Sequence, residues 1–254
     1  MITPFTIFPL GDSAITIDLG NTIDEDLNRQ ALSIANWLKT NPLPGILDIV
    51  PAYSSVSVFY DPHLLAAPAG PFRESVFTGM RNQLEEAYAA CLTEAPATAA
   101  SEPVRIPVCY EDGFCPDLAT IANAKGLSPA SLVEMHVSIP YKVYMIGFLP
   151  GFPYLGKVDP VLATPRKEKP VPVPAGAVGI AGNQTGVYPV DSPGGWQIIG
   201  RTPLTLFDRY SDNPVRLQAG DWVRFYPVDT ATFHKLSSVA PNMSFKTISD
   251  RCHP

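Results

Sequence analysis

The stretch Pro174–Arg201 has the sequence PAGAVGIAGNQTGVYPVDSPGGWQIIGR, in which short apolar runs alternate with Gly, Pro, Asp and Ser. The same alternation begins upstream with YKVYMIGF and continues downstream with LTLF and DWVRFYPV. Many of the 28 prolines lie between Gly147 and Pro203, so this region cannot be mainly helical. Short strands separated by turn residues predict a closed or nearly closed β-barrel.

The N-terminal part of the chain shows a different order. Strands are predicted over Phe5–Leu10, Ala14–Leu19, Ile46–Val50 and Ser55–Tyr60. One helix is predicted from a capping box at Thr22–Glu25 to about Lys39, and a second from about Pro71 to Leu92. The order strand, strand, helix, twice over, predicts an α+β layer with both helices on one face of an antiparallel sheet.

A small, polar segment separates the two regions. Residues 93–101, TEAPATAAS, carry no large apolar group and are typical of a linker. Beyond them we predict a strand at Val104–Val108 and short helices at Asp117–Lys125 and Ser131–His136. The predicted organisation is therefore an α+β domain over 1–92, a linker over 93–102 and a mainly-β barrel domain over 103–254.

Composition excludes several classes of function. The net charge of -6, with 18 basic residues spread along 254, argues against nucleic acid as a partner. The first residues lack the basic head of a signal peptide, and no apolar run is long enough for a membrane span, so we expect a cytoplasmic protein.

The cysteines and histidines also favour no metal centre. The four cysteines, Cys91, Cys109, Cys115 and Cys252, form no C-x-x-C pair, and reduced thiols are favoured over a disulfide between Cys109 and Cys115. The histidines are too scattered for a metal cluster, so the sequence predicts no metal site.

The segment Gly147–Lys157, GFLPGFPYLGK, contains most of a phosphate-binding loop. Val158 stands where that loop needs a hydroxyl for magnesium, and Pro153 removes a backbone donor from its middle. We predict instead a wide, stiff loop that leaves a strand at Tyr141–Phe148. Its aromatic residues Phe152 and Tyr154 belong either to a packed barrel corner or to the wall of a ligand groove.

Polar side chains among the glycines of Pro174–Arg201 are the best candidates for ligand contacts. The planar fork of Arg201 suits a carboxylate or phosphate, although a structural salt bridge to Asp191 is an equal alternative. We expect Arg201, Gln184 and Thr185 to face one groove. The predicted substrate-binding residues are Phe152, Tyr154, Arg166, Gln184, Thr185, Tyr188, Gly194, Gly195 and Trp196.

The catalytic candidates are Arg201 and His136. His136 is the last residue of the predicted helix Ser131–His136, where it is either an acid–base group or a helix-end cation stabilised by the macrodipole.

Four segments together resemble the signature of the bacterial family of 5-oxoprolinase subunits B, also called allophanate hydrolase subunit 1 or KipI. They are HVSIPYKVYMIGFLPGFPYLG, ATPR, VPAGAVGIAGNQTGVYP and SPGGWQIIGRTPL, and the resemblance extends over essentially the whole chain. It implies a ferredoxin-like N-terminal domain and a cyclophilin-like barrel.

The resemblance also implies partnership with 5-oxoprolinase subunits A and C in a complex that opens the lactam of 5-oxoproline to glutamate with ATP as co-substrate. Related domains in urea carboxylase form a carboxyltransferase, so biotin enters only under that alternative. The chain lacks a complete phosphate loop, and we therefore expect it to be inactive without its partners. A regulatory protein that docks a histidine kinase and, more weakly, a prolyl isomerase are the other hypotheses.

Overall fold

The computed structural model describes residues 5–67, 70–72, 75–93 and 102–239 of the chain. The chain divides into two compact units, residues 1–99 and 100–254. Nearly all of the predicted linker, and Cys252 with it, lies outside the described residues. Within those ranges no helix has the length and apolar character that crossing a membrane requires. Cys109 and Cys115 are free thiols, so the alternative disulfide between them is not formed.

The first unit is a four-stranded antiparallel sheet covered by helices. Its elements are β1 Thr6–Pro9, β2 Ala14–Asp18, α1 Glu25–Thr40, β3 Ile46–Pro51, β4 Ser55–Tyr60, α2 Pro62–Ala66 and α3 Val76–Thr93. The strands lie in the order β1-β2-β4-β3. Alternate residues of β2 and β4, among them Ile17 and Val58, are buried in one core with Ile34 and Leu38 of α1 and Leu84 of α3. The predicted order of elements is confirmed with α2 as an addition, whereas the ferredoxin-like arrangement stays a prediction.

Both long helices of this unit begin later than the sequence predicted. The capping box from Thr22 is wrong, because Asp24 is the N-cap and its carboxylate accepts from the backbone N–H groups of Asp26 and Leu27 at 2.9 and 3.1 Å. The second helix begins at Val76 rather than at Pro71. Just before it, the Ser75 hydroxyl accepts from the N–H of Thr78 at 3.1 Å.

The second unit is built on a closed barrel of seven strands. Its elements are β5 Val104–Cys109, α4 Leu118–Ala124, α5 Pro129–Val137, β6 Tyr141–Ile146, β7 Pro153–Lys157, a 3-10 helix Pro160–Leu162, β8 Val171–Val173, β9 Ala177–Ala181, β10 Gln184–Val187, β11 Ser192–Gly194, β12 Gln197–Arg201, β13 Trp222–Val228 and α6 Thr230–Val239. The strand order around the barrel is β10-β7-β6-β13-β5-β12-β9. The parallel pair β5–β13 is flanked on both sides by antiparallel pairs, and β8 pairs with β11 in a separate two-stranded sheet. The predicted barrel is confirmed, and its cyclophilin-like character stays a prediction.

The segment Gly147–Lys157 is a hairpin rather than a wide loop. A turn over 147–152 is closed by a hydrogen bond from the N–H of Gly147 to the carbonyl of Phe152 at 3.1 Å, and Gly151 within it adopts a φ of +79°. The second half is strand β7, which pairs with both β6 and β10. The loop prediction is wrong because Pro153 is the first residue of the strand, a position where proline is tolerated in a sheet. Phe152 is fully buried and forms no exposed rim.

Two glycines that face each other across β9 and β10 explain much of the glycine-rich pattern. Gly179 and Gly186 are paired in register. A Cβ at Gly186 would lie 2.9 Å from the Pro153 carbonyl, 3.0 Å from the Trp196 ring and 3.1 Å from the Phe152 ring. The missing side chains therefore let aromatic rings approach the backbone of the barrel closely. We call Phe152, Tyr154, Tyr188 and Trp196, which contact one another here, the aromatic cluster.

His136 lies in the core of the second unit. Its ring stacks on Phe225 with centroids 4.9 Å apart, and it is fully buried. The Thr185 hydroxyl donates its hydrogen to the carbonyl of Gly179 at 3.0 Å. Its oxygen must therefore accept the hydrogen bond with His136, which makes Nε2–H of the imidazole the donor at 3.0 Å. Nδ1 then accepts from the Tyr110 hydroxyl at 2.9 Å. These bonds hold the imidazole neutral, and burial lowers the pKa of His136 to about 3.

We expect Gly186→Ala to lower the free energy of unfolding of the barrel unit by about 1–3 kcal/mol, because the new methyl overlaps the backbone of Pro153 and the rings of the aromatic cluster. Gly195→Ala is the matched control. Its Cβ would meet nothing closer than Arg166 Nε at 3.5 Å, so a change below about 1 kcal/mol is expected. Chemical denaturation of both variants measures the difference in the free energy of unfolding. Equal values for the two variants would show that the packing of the aromatic cluster does not require a glycine at position 186.

A second prediction concerns acid stability. Burial lowers the pKa of His136 from 6.5 to about 3 in the folded chain. Between pH 6.5 and pH 3, the imidazole is therefore protonated in the unfolded chain and neutral in the folded chain. The contribution of His136 to the free energy of unfolding is therefore complete above pH 6.5 and decreases as the pH falls. The expected decrease is about 2 kcal/mol between pH 7 and pH 5.

Denaturation at pH 7, 6 and 5 should show this decrease in the parent and a flatter dependence in His136→Phe. His234→Gln is the control, since that histidine is exposed on α6 of the same unit and should leave the decrease unchanged. An equal decrease in His136→Phe would contradict the prediction.

Candidate functional site

A cleft of about 510 Å³ lies on the outside of the barrel, next to the aromatic cluster. Its walls are mainly apolar, with two basic side chains and one carboxylate among them. Volumes of a few hundred Å³ with a few polar groups in an apolar lining are typical of small-molecule sites. The cleft is formed by Gly113, Phe114, Pro116, Asp117, Lys167, Val171, Pro172, Pro174, Ala177, Ile198 and Arg201.

An ion pair between Asp117 and Lys167 lies at one side of the cleft. Their side chains are 19% and 20% exposed, so solvent reaches both without surrounding them. The carboxylate oxygen Oδ2 of Asp117 accepts from Lys167 Nζ and also from the backbone N–H of Ile198 at 2.6 Å. The ammonium donates a second hydrogen bond to the carbonyl of Trp196 at 3.2 Å. One oxygen therefore connects the residue before α4, the segment before β8 and strand β12.

This ion pair retains hydrogen-bonding capacity on its cleft side. An ammonium carries three donors, and a carboxylate has two oxygens that each accept. Within the described ranges, two donors of Lys167 are used and Oδ1 of Asp117 accepts no hydrogen bond. The pair can therefore offer a ligand one donor and one acceptor side by side.

Arg201 supplies the second positive charge of the cleft. Its Nε donates to the carbonyl of Ala175 at 2.8 Å. Asp191 accepts from the N–H of the same Ala175 at 2.7 Å, and the alternative salt bridge between Arg201 and Asp191 is not formed. In the described part of the chain, the two terminal nitrogens of Arg201 have no partner. They are the pair that can bind both oxygens of a carboxylate.

The structure brings together most of the predicted substrate-binding residues, but largely as support for the cleft. In the aromatic cluster, Phe152, Tyr188 and Trp196 are at most 5% exposed, which leaves little surface for a ligand. A Cβ at Gly194 would lie 2.4 Å from the Tyr188 hydroxyl oxygen, so that glycine serves the same packing. Ala177 and Ile198 pack in the same hydrophobic core as these rings and also line the cleft.

Arg166 and Gly195 lie beside this cluster. Arg166 is exposed, and a Cβ at Gly195 would lie 3.5 Å from its Nε. Burial raises the pKa of Tyr154 and of Tyr188, and the positive charge of Arg166 partly opposes both shifts. Arg166 is therefore close to both phenols without being part of the cleft.

The structure separates Gln184 and Thr185 from Arg201, so the expected common groove is not formed. Successive side chains of a strand point to opposite faces, and these two residues are neighbours on β10. Thr185 points inward and binds His136, and neither residue lines the cleft. His136 is likewise enclosed at 0% exposure, where it has no access to a ligand in the cleft.

The candidate site residues chosen from the sequence include neither Asp117 nor Lys167. The local pattern marks Asp117 only as the start of a helix and Lys167 only as part of a basic run. The two residues are 50 positions apart, and no local spacing connects them. The folded barrel alone brings them together. Over the described ranges, no group of three His, Cys, Asp or Glu side chains could hold a metal ion.

Comparison with known proteins gives the family. The model of the carboxyltransferase domain, subdomain C and D, matches residues 5–217. Among the 5-oxoprolinase subunits B, the protein of Bacillus subtilis is 40% identical over 92% of this chain and 97% of its own length. The protein of the same name from Escherichia coli O157:H7 is 38% identical over 86% of this chain and 94% of its own length. The urea amidolyase of Saccharomyces cerevisiae is 32% identical over 50% of this chain, which corresponds to 7% of that protein.

Solved structures agree with this assignment. TTHA0988 superposes with a TM-score of 0.70 at 35% identity, covering 88% of this chain and 40% of that one. The urea amidolyase of K. lactis superposes with a TM-score of 0.70 at 18% identity, over 95% of this chain and 16% of that one, and shows a shared fold. The chain belongs to the family of the 5-oxoprolinase subunits B.

Proposed function

We propose that this chain is the B component of an ATP-dependent 5-oxoprolinase and that, with partner subunits A and C, it converts 5-oxoproline to glutamate. The observation that carries the proposal is the similarity to the 5-oxoprolinase subunits B of three bacteria over nearly their full length. The urea amidolyase match supports the carboxyltransferase alternative less well, because it extends over half of this chain. Biotin belongs to that alternative and has no part in the proposal.

The cleft suits a small ligand that carries a carboxylate. Arg201 presents two terminal nitrogens in the plane that a bidentate carboxylate contact requires. Val171, Pro172 and Pro174 supply apolar wall against which a five-membered ring can pack. In the proposed complex, this chain therefore binds and orients the substrate.

The described residues of the cleft include no nucleophile next to a base, so the chemical work is divided among the components of the complex. The cleft contains no Ser, Thr, Cys or His. ATP enters as co-substrate of the complex, and we assign none of its contacts to Gly151–Lys157, because Pro153–Lys157 is a paired barrel strand. The chain alone is accordingly expected to be inactive.

Reconstitution tests the proposal. We expect the chain, combined with subunits A and C of the Bacillus subtilis enzyme in place of that enzyme's own B component, to give ATP hydrolysis that depends on 5-oxoproline. The isolated chain should give none. A folded, assembled complex without 5-oxoproline-dependent turnover would refute the proposed function, and turnover by the isolated chain would refute the division of labour.

In that complex, Arg201→Lys should lower kcat/KM for 5-oxoproline by roughly one to two orders of magnitude, since a hydrogen bond to a charged group contributes about 1.5–3 kcal/mol and lysine lacks the fork. Arg201→Ala should lower it further. Lys157→Ala is the control, because Lys157 is exposed on β7 outside the cleft, and activity should stay within a few-fold of the parent. Normal activity per folded molecule in both Arg201 variants, with reduced thermal stability, would make Arg201 a structural residue only.

A further inference from the structure

We propose that the Asp117–Lys167 ion pair recognises the ring amide of the substrate. In this assignment the Lys167 ammonium donates to the lactam carbonyl oxygen, and Oδ1 of Asp117 accepts from the lactam N–H. Arg201 holds the carboxylate of the same molecule. The inference rests on the proposed function for the identity of the ligand, and it assigns specificity to two residues of this chain.

The chemistry of a small lactam matches the ion pair. A five-membered ring forces its amide to be cis, so the N–H and the carbonyl oxygen lie next to each other on one edge of the ring. Such an edge offers one donor and one acceptor side by side. The cleft side of the ion pair offers the complement, because the third N–H of Lys167 and Oδ1 of Asp117 make no hydrogen bond within the described residues.

The ion pair is positioned rigidly enough to discriminate. Oδ2 of Asp117 is held by the backbone N–H of Ile198 at 2.6 Å, and the backbone N–H of Asp117 donates to the Ile198 carbonyl at 3.0 Å. Lys167 is held in the same way, since its backbone N–H donates to the Gly195 carbonyl at 2.7 Å and its ammonium donates to Trp196. Neither side chain needs to reorganise before it meets a ligand.

A purely structural role would use different geometry. Asp117 precedes α4, yet its side chain makes no capping hydrogen bond to that helix. Both charged groups line the cleft and remain about one-fifth exposed. An ion pair with a structural role alone has no need to border a cleft. Both residues line the same cleft as Arg201, and the pair keeps one donor and one acceptor that make no hydrogen bond within the described residues.

The test is a change of preference between two ring ligands. The probes are 5-oxoproline and the five-membered lactone that carries the same carboxylate, in which a ring oxygen replaces the N–H. Their dissociation constants are measured on the full chain by NMR titration of the 15N-labelled protein. The parent should bind the lactam roughly tenfold to a hundredfold more tightly than the lactone, because a hydrogen bond to a carboxylate is gained only with the lactam. The largest shifts should fall on residues 117, 167, 198 and 201.

Asp117→Asn should abolish or reverse this preference. Its amide oxygen can still accept from Ile198 and Lys167, so its NH2 group takes the place of Oδ1 and faces the lactam N–H as a second donor. Asp159→Asn is the matched control. Asp159 caps the 3-10 helix through the N–H of Val161, a role that asparagine also fills, and it lies outside the cleft. The control should keep the preference of the parent.

Lys167 gives an independent arm. Lys167→Met should weaken lactam and lactone by the same factor, roughly tenfold or more, because both carry the carbonyl, and Lys167→Arg should restore part of the loss. The ratio of the dissociation constants of the two ligands on one variant does not depend on the fraction of that variant that is folded. Partial unfolding of Asp117→Asn therefore does not change the measured preference.

Two outcomes would overturn the inference: a preference that survives in Asp117→Asn, and a titration of the parent in which the cleft residues do not shift. Failure of the inference and failure of the proposed function are distinguishable. An active reconstituted complex with no lactam binding in this cleft refutes only the inference. Lactam binding here with the predicted preference, in a chain whose complex does not turn over 5-oxoproline, refutes only the proposed function.

Discussion

The packing of the second unit depends on the close approach of aromatic rings to the barrel backbone at two glycines. Gly179 and Gly186 face each other across β9 and β10, and their lack of side chains lets Trp196 and Phe152 lie against the strands. The rings of Phe152 and Trp196 pack in the same hydrophobic cluster as Ala177 and Ile198. The cleft wall that these two residues form is thus a product of packing on the outside of the barrel.

The interior and the exterior of the barrel consequently have different roles. Inside, a neutral histidine, a tyrosine and a threonine satisfy one another in a dry environment, where an ionised imidazole is unfavourable. Outside, three charged side chains border one cleft and are partly hydrated. The charges that the proposed function assigns to ligand binding lie where water can reach them, and the polar groups that bind one another within the barrel are enclosed.

The sequence predicted those parts of the fold that depend on local patterns. Alternating apolar runs located the strands of the barrel, and the absent hydroxyl at Val158 correctly argued against a phosphate loop. The sequence-based prediction failed where one residue type allows two structures, as with Pro153, which can continue a loop or begin a strand. The prediction of the candidate site also failed where that site depends on long-range contacts. Arg201 was found because it is a polar residue in a glycine-rich segment and its planar fork suits an anion. The pairing of Asp117 with Lys167 joins residues 50 positions apart, so no local spacing indicates it.

Arg201 and Asp191 both form hydrogen bonds to the backbone of Ala175, and under the proposed function this shared restraint influences which ligands the cleft accepts. The carbonyl of Ala175 fixes Arg201 at Nε, and the N–H of the same residue is fixed by Asp191. This hydrogen bond restricts the rotamers of Arg201 when the chain folds, so part of the entropy cost of ordering the side chain is met before a ligand arrives. An arginine restrained in this way adapts less readily to anions of different shape. Under the proposed function, part of the discrimination among small anions would therefore be built into the folded barrel unit before any ligand binds.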